Sequence, residues 1–303
     1  MIKNRHKNNS NKLQKLEKHK AWAKKHRAER KAELWARNDE RVKAKKSLGQ
    51  NFLHEKWVVE KICANAYIQG QNVLEIGPGT GFLTQEICRN NPKKLLLIEK
   101  DTRFIGDLRQ KFIDAEIINK DATTIDFEND VLHLFGNKNN TINDEKITLI
   151  ANLPYNVGTT ITINFLQKID YLNEMVLMLQ KEVVDRLTAN CGSKDYGRIS
   201  VLIQAFCDVK KLFDVPPECF MPRPKVMSSV VKIIPKENVK FDASLYNYLS
   251  EITKIAFSQR RKKLLNVFKN TKYLSILPSD LQQKRAEEVA VEEYIEISRK
   301  IFK

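Results

Sequence analysis

The sequence predicts an α/β protein with a mostly parallel sheet, followed by a small helical domain. Two observations carry this. From about Ser47, short apolar runs alternate with helix-length amphipathic stretches, and from Phe241 onward apolar residues recur only at helical spacing. The first run, 72–76, reads as a buried strand, followed by Gly77-Pro78-Gly79-Thr80-Gly81 and a helix to about Arg89. Further strands are expected at 95–99, 116–119, 147–151 and 175–179, with helices over 102–112, 159–167 and 181–189. Two more strand candidates, 209–215 and 229–234, precede a break at Pro235 and Lys236. Helices are then expected over 245–257, 263–268 and 289–301, while the polar, Asn-rich stretch 129–145 reads as a surface loop. The domain boundaries implied are a basic extension at 1–46, the α/β domain at 47–236 and the helical domain at 237–303.

Composition narrows the classes. With 42% hydrophobic and 8% aromatic residues in 303, wholesale disorder is excluded. No apolar run approaches the roughly 20 residues of a membrane helix, and no apolar signal region follows the start. Cys63, Cys88, Cys191, Cys207 and Cys219 are scattered without a C-x-x-C pair, so neither a disulfide framework nor a zinc site is expected, and a reducing compartment is. The net charge of +16 is concentrated in residues 1–46, where 17 Lys and Arg face five Asp and Glu. A basic arm on a near-neutral body points to a polyanion, nucleic acid or an anionic membrane, unless the arm serves only solubility. Residues 21–46 have the composition of a charged helix, and their lysines and acids do not make a transit peptide. His6, His19, His26 and His54 read as surface residues.

The chemistry is concentrated at strand ends. A Gly-rich turn after the first strand lets backbone approach a ligand and opens a helix, but its spacing is G-x-G-x-G rather than the G-x-G-x-x-G of dinucleotide binders. Glu99 ends the next strand, 22 positions after Gly77, where a carboxylate can accept both hydroxyls of a ribose. Asp121 follows the third strand, placed for an adenine amino group. The turn holds no Lys or Arg, which suits a nucleoside without phosphate and favours S-adenosylmethionine over NAD. Asn152-Leu153-Pro154-Tyr155 follows the fourth strand. There an amide oxygen and a neighbouring backbone carbonyl can accept the two hydrogens of an exocyclic amine while the tyrosine stacks on the base; a plain turn with a core tyrosine is the alternative.

These motifs occur in one order and spacing with Lys46-Ser47-Leu48-Gly49-Gln50-Asn51-Phe52-Leu53, Lys120-Asp121-Ala122, Leu179-Gln180-Lys181-Glu182-Val183 and Tyr196-Gly197-Arg198. Phe220-Met221-Pro222-Arg223-Pro224-Lys225-Val226 and Ala256-Phe257-Ser258-Gln259-Arg260-Arg261-Lys262 complete the set. From about Lys45 to the end, the chain resembles the small-subunit ribosomal RNA adenine N6,N6-dimethyltransferases. The resemblance implies a Rossmann-like methyltransferase domain that uses S-adenosylmethionine and no metal. By it, Asn51 and Leu53 contact the cofactor from the N-terminal side, Gly77, Gly79, Glu99, Asp121 and Asn152 complete its site, and Ala122 flanks the adenine ring. Asn152, Leu153, Pro154 and Tyr155 form the target clamp, with Phe220 opposite Tyr155 so that a flipped adenine lies between two aromatic faces. Glu75 shapes the Gly turn and the methionine end of the site. Arg223, Lys225, Arg260, Arg261 and Lys262 contact RNA, the last three at the opening of a C-terminal helix. Two positions depart from the family pattern: Gly158 replaces a common Ser or Thr, and Thr160 a usual Pro.

The reaction implied is dimethylation of two adjacent adenines in the 3′-terminal hairpin of small-subunit rRNA, by a cytoplasmic monomer acting on the pre-30S particle. Alternatives are the related large-subunit methyltransferase of macrolide resistance, an assembly or nucleic-acid-binding factor without essential catalysis, and an organellar source. A NAD-linked oxidoreductase is excluded by the glycine spacing.

Overall fold

The computed structural model describes residues 43–136 and 146–301. Most of the expected leader helix, His6, His19 and His26, and the end of the Asn-rich stretch lie outside the described residues. One compact unit begins at Lys46.

A two-residue strand, β1 (Phe52–Leu53), leads into helix α1 (Lys56–Ala64). Strand and helix then alternate through β2 (Asn72–Ile76), α2 (Phe82–Arg89), β3 (Lys94–Glu99), α3 (Thr102–Lys111) and β4 (Glu116–Asn119). After the Asn-rich stretch come β5 (Ile147–Asn152), α4 (Gly158–Leu166), β6 (Leu172–Gln180), α5 (Lys181–Leu187), α6 (Arg198–Gln204) and β7 (Cys207–Val215). A short β8 (Phe220–Met221), β9 (Ser228–Pro235) and helices α7 (Ala243–Ala256), α8 (Leu264–Phe268) and α9 (Val291–Arg299) complete the described chain.

Seven strands form one sheet in the order β4-β3-β2-β5-β6-β9-β7. Neighbours from β4 to β6 are parallel, and β9 runs antiparallel between β6 and β7. From β2 the chain winds outward to β3 and β4, then returns to β5 and β6 on the other side. That reversal opens a crevice beyond the carboxyl ends of β2 and β5. Separately, β1 pairs with β8, Phe52 opposite Met221 and Leu53 opposite Phe220, which joins the N-terminal arm to the 220–227 loop.

Both faces of the central strands are covered, which is why they read as apolar runs rather than alternations. Leu74 and Ile76 enter one apolar cluster with Phe165, Leu177 and Val201, whereas Val73, Leu95 and Leu97 enter a second with Val58, Ile87 and Leu108. Leu249, Ile252, Phe268, Tyr294 and Ile297 belong to the first cluster, so the C-terminal helices share their core with the sheet.

Three features depart from expectation. Helices α1 and α6 and the β1–β8 pair are not legible in the apolar pattern. The stretch read as a polar loop, 129–145, opens inside a π-helical turn, Phe127–Leu132, in which Phe127, Val131 and Leu132 are buried, followed by buried Phe135. Asn, Asp and Glu between those residues mask an apolar face spaced i, i+4, i+5, i+8. Arg260, Arg261 and Lys262 lie in the turn before α8 and not in a helix.

The Gly-rich turn is held by geometry that only glycine satisfies. Gly81 begins α2 with φ of 80°, and a β-carbon there would lie 2.6 Å from Phe112 Cε2 and 2.9 Å from Cζ. Left-handed backbone and overpacking add, so Gly81→Ala is expected to destabilise the fold by about 2–4 kcal/mol. Urea unfolding checks this, and a midpoint equal to wild type would refute it.

Candidate active site

The carboxyl ends of β2, β3 and β5, the segment after β4 and the 47–53 arm enclose one cleft, with about 1100 Å³ of unfilled space when its open mouth is included. Asn51, Leu53, Gly77, Gly79, Glu99, Asp121 and Ala122 line it, and so do Asn152, Leu153, Pro154 and Tyr155. Eleven sequence-proposed residues are thus gathered at one place.

Gly77 has φ of 68°, and its missing side chain would face open cleft, with only the Asn152 carbonyl nearby at 3.9 Å. Backbone is therefore exposed to a ligand at the point where the sheet topology puts one. The buried Glu99 carboxylate accepts the Gly79 N–H at 2.9 Å and the Asp101 N–H at 2.7 Å. Burial raises its pKa, and those N–H groups oppose the shift. The two bonds fix the carboxylate at the cleft wall and leave lone pairs for a ribose diol. Asp121 Oδ1 accepts from the Thr123 N–H and hydroxyl, while Lys100 Nζ contacts Oδ2 at 2.7 Å. The Lys100 contact, aided by Thr123, brings the Asp121 pKa down to about 2. Any further donor reaching Oδ2 must share it with Lys100.

The arm is fastened over this cleft by contacts that sequence reasoning missed. Gln50 Nε2 donates to Asp101 Oδ2 at 2.8 Å, Arg103 Nη2 donates to Gln50 Oε1 at 3.2 Å, and the Phe52 ring meets Phe104 edge-on at 5.6 Å. Gln50 lies inside the arm motif, and Asp101 is the N-cap of α3, a role that accounts for an aspartate there without the arm.

At the target end, Asn152 Nδ2 donates to the Asn51 carbonyl at 3.4 Å. The Pro154 carbonyl is taken by the Val157 and Gly158 N–H groups at the start of α4. Among the described residues, Asn152 Oδ1 and the Leu153 carbonyl accept no hydrogen bond, leaving two acceptors beside the half-buried Tyr155 ring. The Tyr155 hydroxyl is 2.6 Å from Ser228 Oγ, a contact outside the motifs that the sequence singles out. Gly158 is explained locally, because a β-carbon would lie 2.6 Å from Leu179 Cδ2. Thr160 is exposed in the first turn of α4.

Phe220 is reached from the cleft through its strand partner, Leu53, which lines it. It is 2% exposed and sits in the second apolar cluster with Leu53. Of the cations, Arg223 and Lys225 are exposed in the 222–227 loop, with Arg223 3.3 Å from Glu218. Arg260 is tied to Glu287 at 3.0 Å and to the Ser193 carbonyl at 3.2 Å, while Arg261 and Lys262 are exposed. Among the described residues no group of three His, Cys, Asp or Glu is placed to hold a metal ion. No described helix is long and apolar enough to cross a membrane.

Glycine backbone and a fixed carboxylate at neighbouring strand ends, with carbonyl acceptors beside an aromatic ring, suit a nucleoside cofactor and a planar amine. This is the architecture of a Rossmann-like methyltransferase. Residues 41–302 match the family described as ribosomal RNA adenine dimethylase, and the chain belongs to that family. Over 230 residues it is 43% identical to ribosomal RNA small subunit methyltransferase A of Wolbachia sp. subsp. Drosophila simulans (strain wRi), covering 76% of this chain and 81% of the relative. The protein of the same name from Pelagibacter ubique is 42% identical over 231 residues, 75% of this chain and 83% of that one. Among solved structures, a dimethyladenosine transferase from Plasmodium falciparum superposes with a TM-score of 0.68 at 25% identity, covering 81% of this chain and 95% of the other. The 23S rRNA methyltransferase ErmE, at 18% identity and a TM-score of 0.62, covers 84% of this chain and 100% of its own and shares the fold.

Proposed function

We propose that the chain transfers methyl groups from S-adenosylmethionine to N6 of two adjacent adenines in the 3′-terminal hairpin of small-subunit rRNA, two to each, during ribosome assembly. The observation that carries this is the pair of acceptors to which no described residue donates, Asn152 Oδ1 and the Leu153 carbonyl, which line the cleft together with Tyr155. The names of the relatives supply the subunit.

The residues fit S-adenosylmethionine. Gly77 presents backbone, Glu99 presents lone pairs for the ribose, and the buried Glu75 beside the cleft has an Oε2 with no partner. When bound, the cofactor supplies an electrophilic methyl group. Asn152 Oδ1 and the Leu153 carbonyl accept the two N6 hydrogens, which concentrates electron density on a nitrogen otherwise conjugated with the ring. Tyr155 supports the base face, fixing the direction in which the N6 lone pair points. Catalysis is then positioning and electrostatics, and the methylated N6 is acidic enough to lose its proton to water. For the second transfer one hydrogen bond to N6 is released, since only one hydrogen remains.

Arg223, Lys225, Arg260, Arg261 and Lys262, with the basic leader, serve the RNA backbone, and binding weakens as salt rises. The enzyme works without a metal, as a cytoplasmic monomer on the pre-30S particle. Labelled methyl transfer to undermethylated small subunits, followed by nucleoside mass spectrometry, tests the reading. Dimethyladenosine at the 3′-terminal hairpin is expected. Label on large-subunit rRNA alone would overturn it in favour of the macrolide-resistance class, and cofactor binding without transfer would favour an assembly role.

A further inference from the structure

We propose that Ser228 is a positioning residue of methyl transfer, setting the tilt of the Tyr155 ring through the hydrogen bond between their hydroxyls. The proposal rests on the reading of Tyr155 as the surface that supports the target base.

The two ends of this bond differ in what holds them. Tyr155 belongs to a loop that leaves β5 and turns into α4, and the Pro154 carbonyl is the loop's nearest backbone tether. Such a tether fixes the Tyr155 backbone but leaves the far end of its ring free to swing. Ser228 is fully buried as the first residue of β9, opposite Gln180 of β6 on one side and Val215 of β7 on the other. The Lys181 N–H donates to the Met227 carbonyl at 2.9 Å, immediately before it. Ser229, immediately after, donates to Asp214, which pairs with Lys211 at 2.7 Å, and Lys211 reaches Asp185 at 3.2 Å. Ser228 Oγ is thus a rigid point, and its 2.6 Å contact spans 73 positions to the outer end of the ring.

The same contact joins two loops of the candidate site. Ser228 closes the segment that carries Phe220, Arg223 and Lys225, and Tyr155 closes the Asn152–Tyr155 motif. A ring that rotates tips the base stacked on it and moves N6 out of line with the methyl group. Misplacement by about 1 Å can cost on the order of a hundredfold in rate. Burial raises the Tyr155 pKa, so the phenol stays protonated and the bond persists across the neutral range.

The test is a double-mutant cycle on the full chain, with undermethylated small subunits and saturating S-adenosylmethionine in single turnover. Ser228→Ala and Tyr155→Phe are each expected to slow transfer roughly tenfold while the cofactor Kd stays within about twofold. The double variant is expected to be no slower than the slower single variant, because both changes delete one bond. A Ser228→Ala enzyme within twofold of wild-type turnover would overturn the proposal, and so would losses that multiply in the double variant. If Ser228→Ala lacks a cooperative melting transition, Tyr155→Phe decides alone, and a wild-type rate there overturns the proposal. Failure of the wild-type enzyme to methylate the particle would instead overturn the underlying reading of the site, and the same assay reports it.

Discussion

An Asn152→Ala enzyme is expected to fold as wild type does and still to bind S-adenosylmethionine, with affinity lowered severalfold, yet to transfer methyl groups on the order of a hundredfold more slowly. Asn152 is the last residue of β5, and its amide is oriented by the bond from Nδ2 to the Asn51 carbonyl, which turns Oδ1 away from the arm. The side chain is half-buried, so its removal leaves no large core cavity, and the cost falls on chemistry rather than stability. Deleting one preorganised polar group in comparable sites lowers turnover by roughly 10²–10³. The Leu153 carbonyl remains and still accepts one N6 hydrogen, so residual transfer is expected. Single-turnover rates on undermethylated subunits, beside calorimetric titration of the cofactor, check it. Full-rate transfer would remove the clamp from the mechanism and leave Tyr155 with the positioning alone.

The site is legible in the sequence because of where the fold puts it. In a parallel sheet covered on both faces, each central strand is a short apolar run, and the residues just past its end form the crevice wall. Gly77, Glu99, Asp121 and Asn152 each stand at or just beyond the end of such a run, so finding the strands finds them. The hidden parts depend on contacts across the chain. The resemblance implies that Phe220 is a second aromatic face, and what holds it in place is a two-residue pairing with Leu53. No periodicity can announce a strand of that length. Ser228 gains its role from a partner 73 positions away, and Gln50 from one 51 positions away. The π-helical turn at Phe127–Leu132 is hidden for another reason, polar residues interleaved with a buried face. Helix α6 begins at Arg198 after an extended glycine, with no Ser, Thr, Asp or Asn N-cap to mark it.

Glu75→Gln is expected to make the fold more stable at pH 8 while weakening the cofactor complex. Strand alternation puts Glu75 on the same face of β2 as Val73, the face that carries the apolar cluster of Leu83 and Ile87, and it is 1% exposed. Burial pushes its carboxyl up to about 8, with the nearby Glu99 adding to the shift and Thr84 opposing it. The folded-state pKa lies above the unfolded value, so the folded protein binds a proton that the unfolded chain releases. The stabilising share of this group is fully present below the ordinary carboxylate range and is lost as pH rises toward 8. At about 1.4 kcal/mol per unit, the wild-type protein loses up to roughly 4 kcal/mol between pH 5 and 8 from this residue alone. The amide of the variant cannot ionise, so the difference in unfolding free energy between variant and wild type is expected to grow across that range. Leaving that amide unpaired costs the same at both pH values and cancels in the comparison. Denaturant unfolding at pH 5 and pH 8 measures the growth, and a constant difference would show that Glu75 does not titrate there. Glu75, whose Oε2 has no hydrogen-bond partner, lines the cleft, where S-adenosylmethionine would bring a sulfonium and an ammonium group. A buried carboxylate held near neutral pH ionises when a cation arrives, and that attraction offsets the cost of keeping it in the core. Cofactor affinity in the Glu75→Gln variant is therefore expected to fall about tenfold at pH 8. Gain in stability with loss in binding would mark Glu75 as a group kept at a structural cost for the ligand.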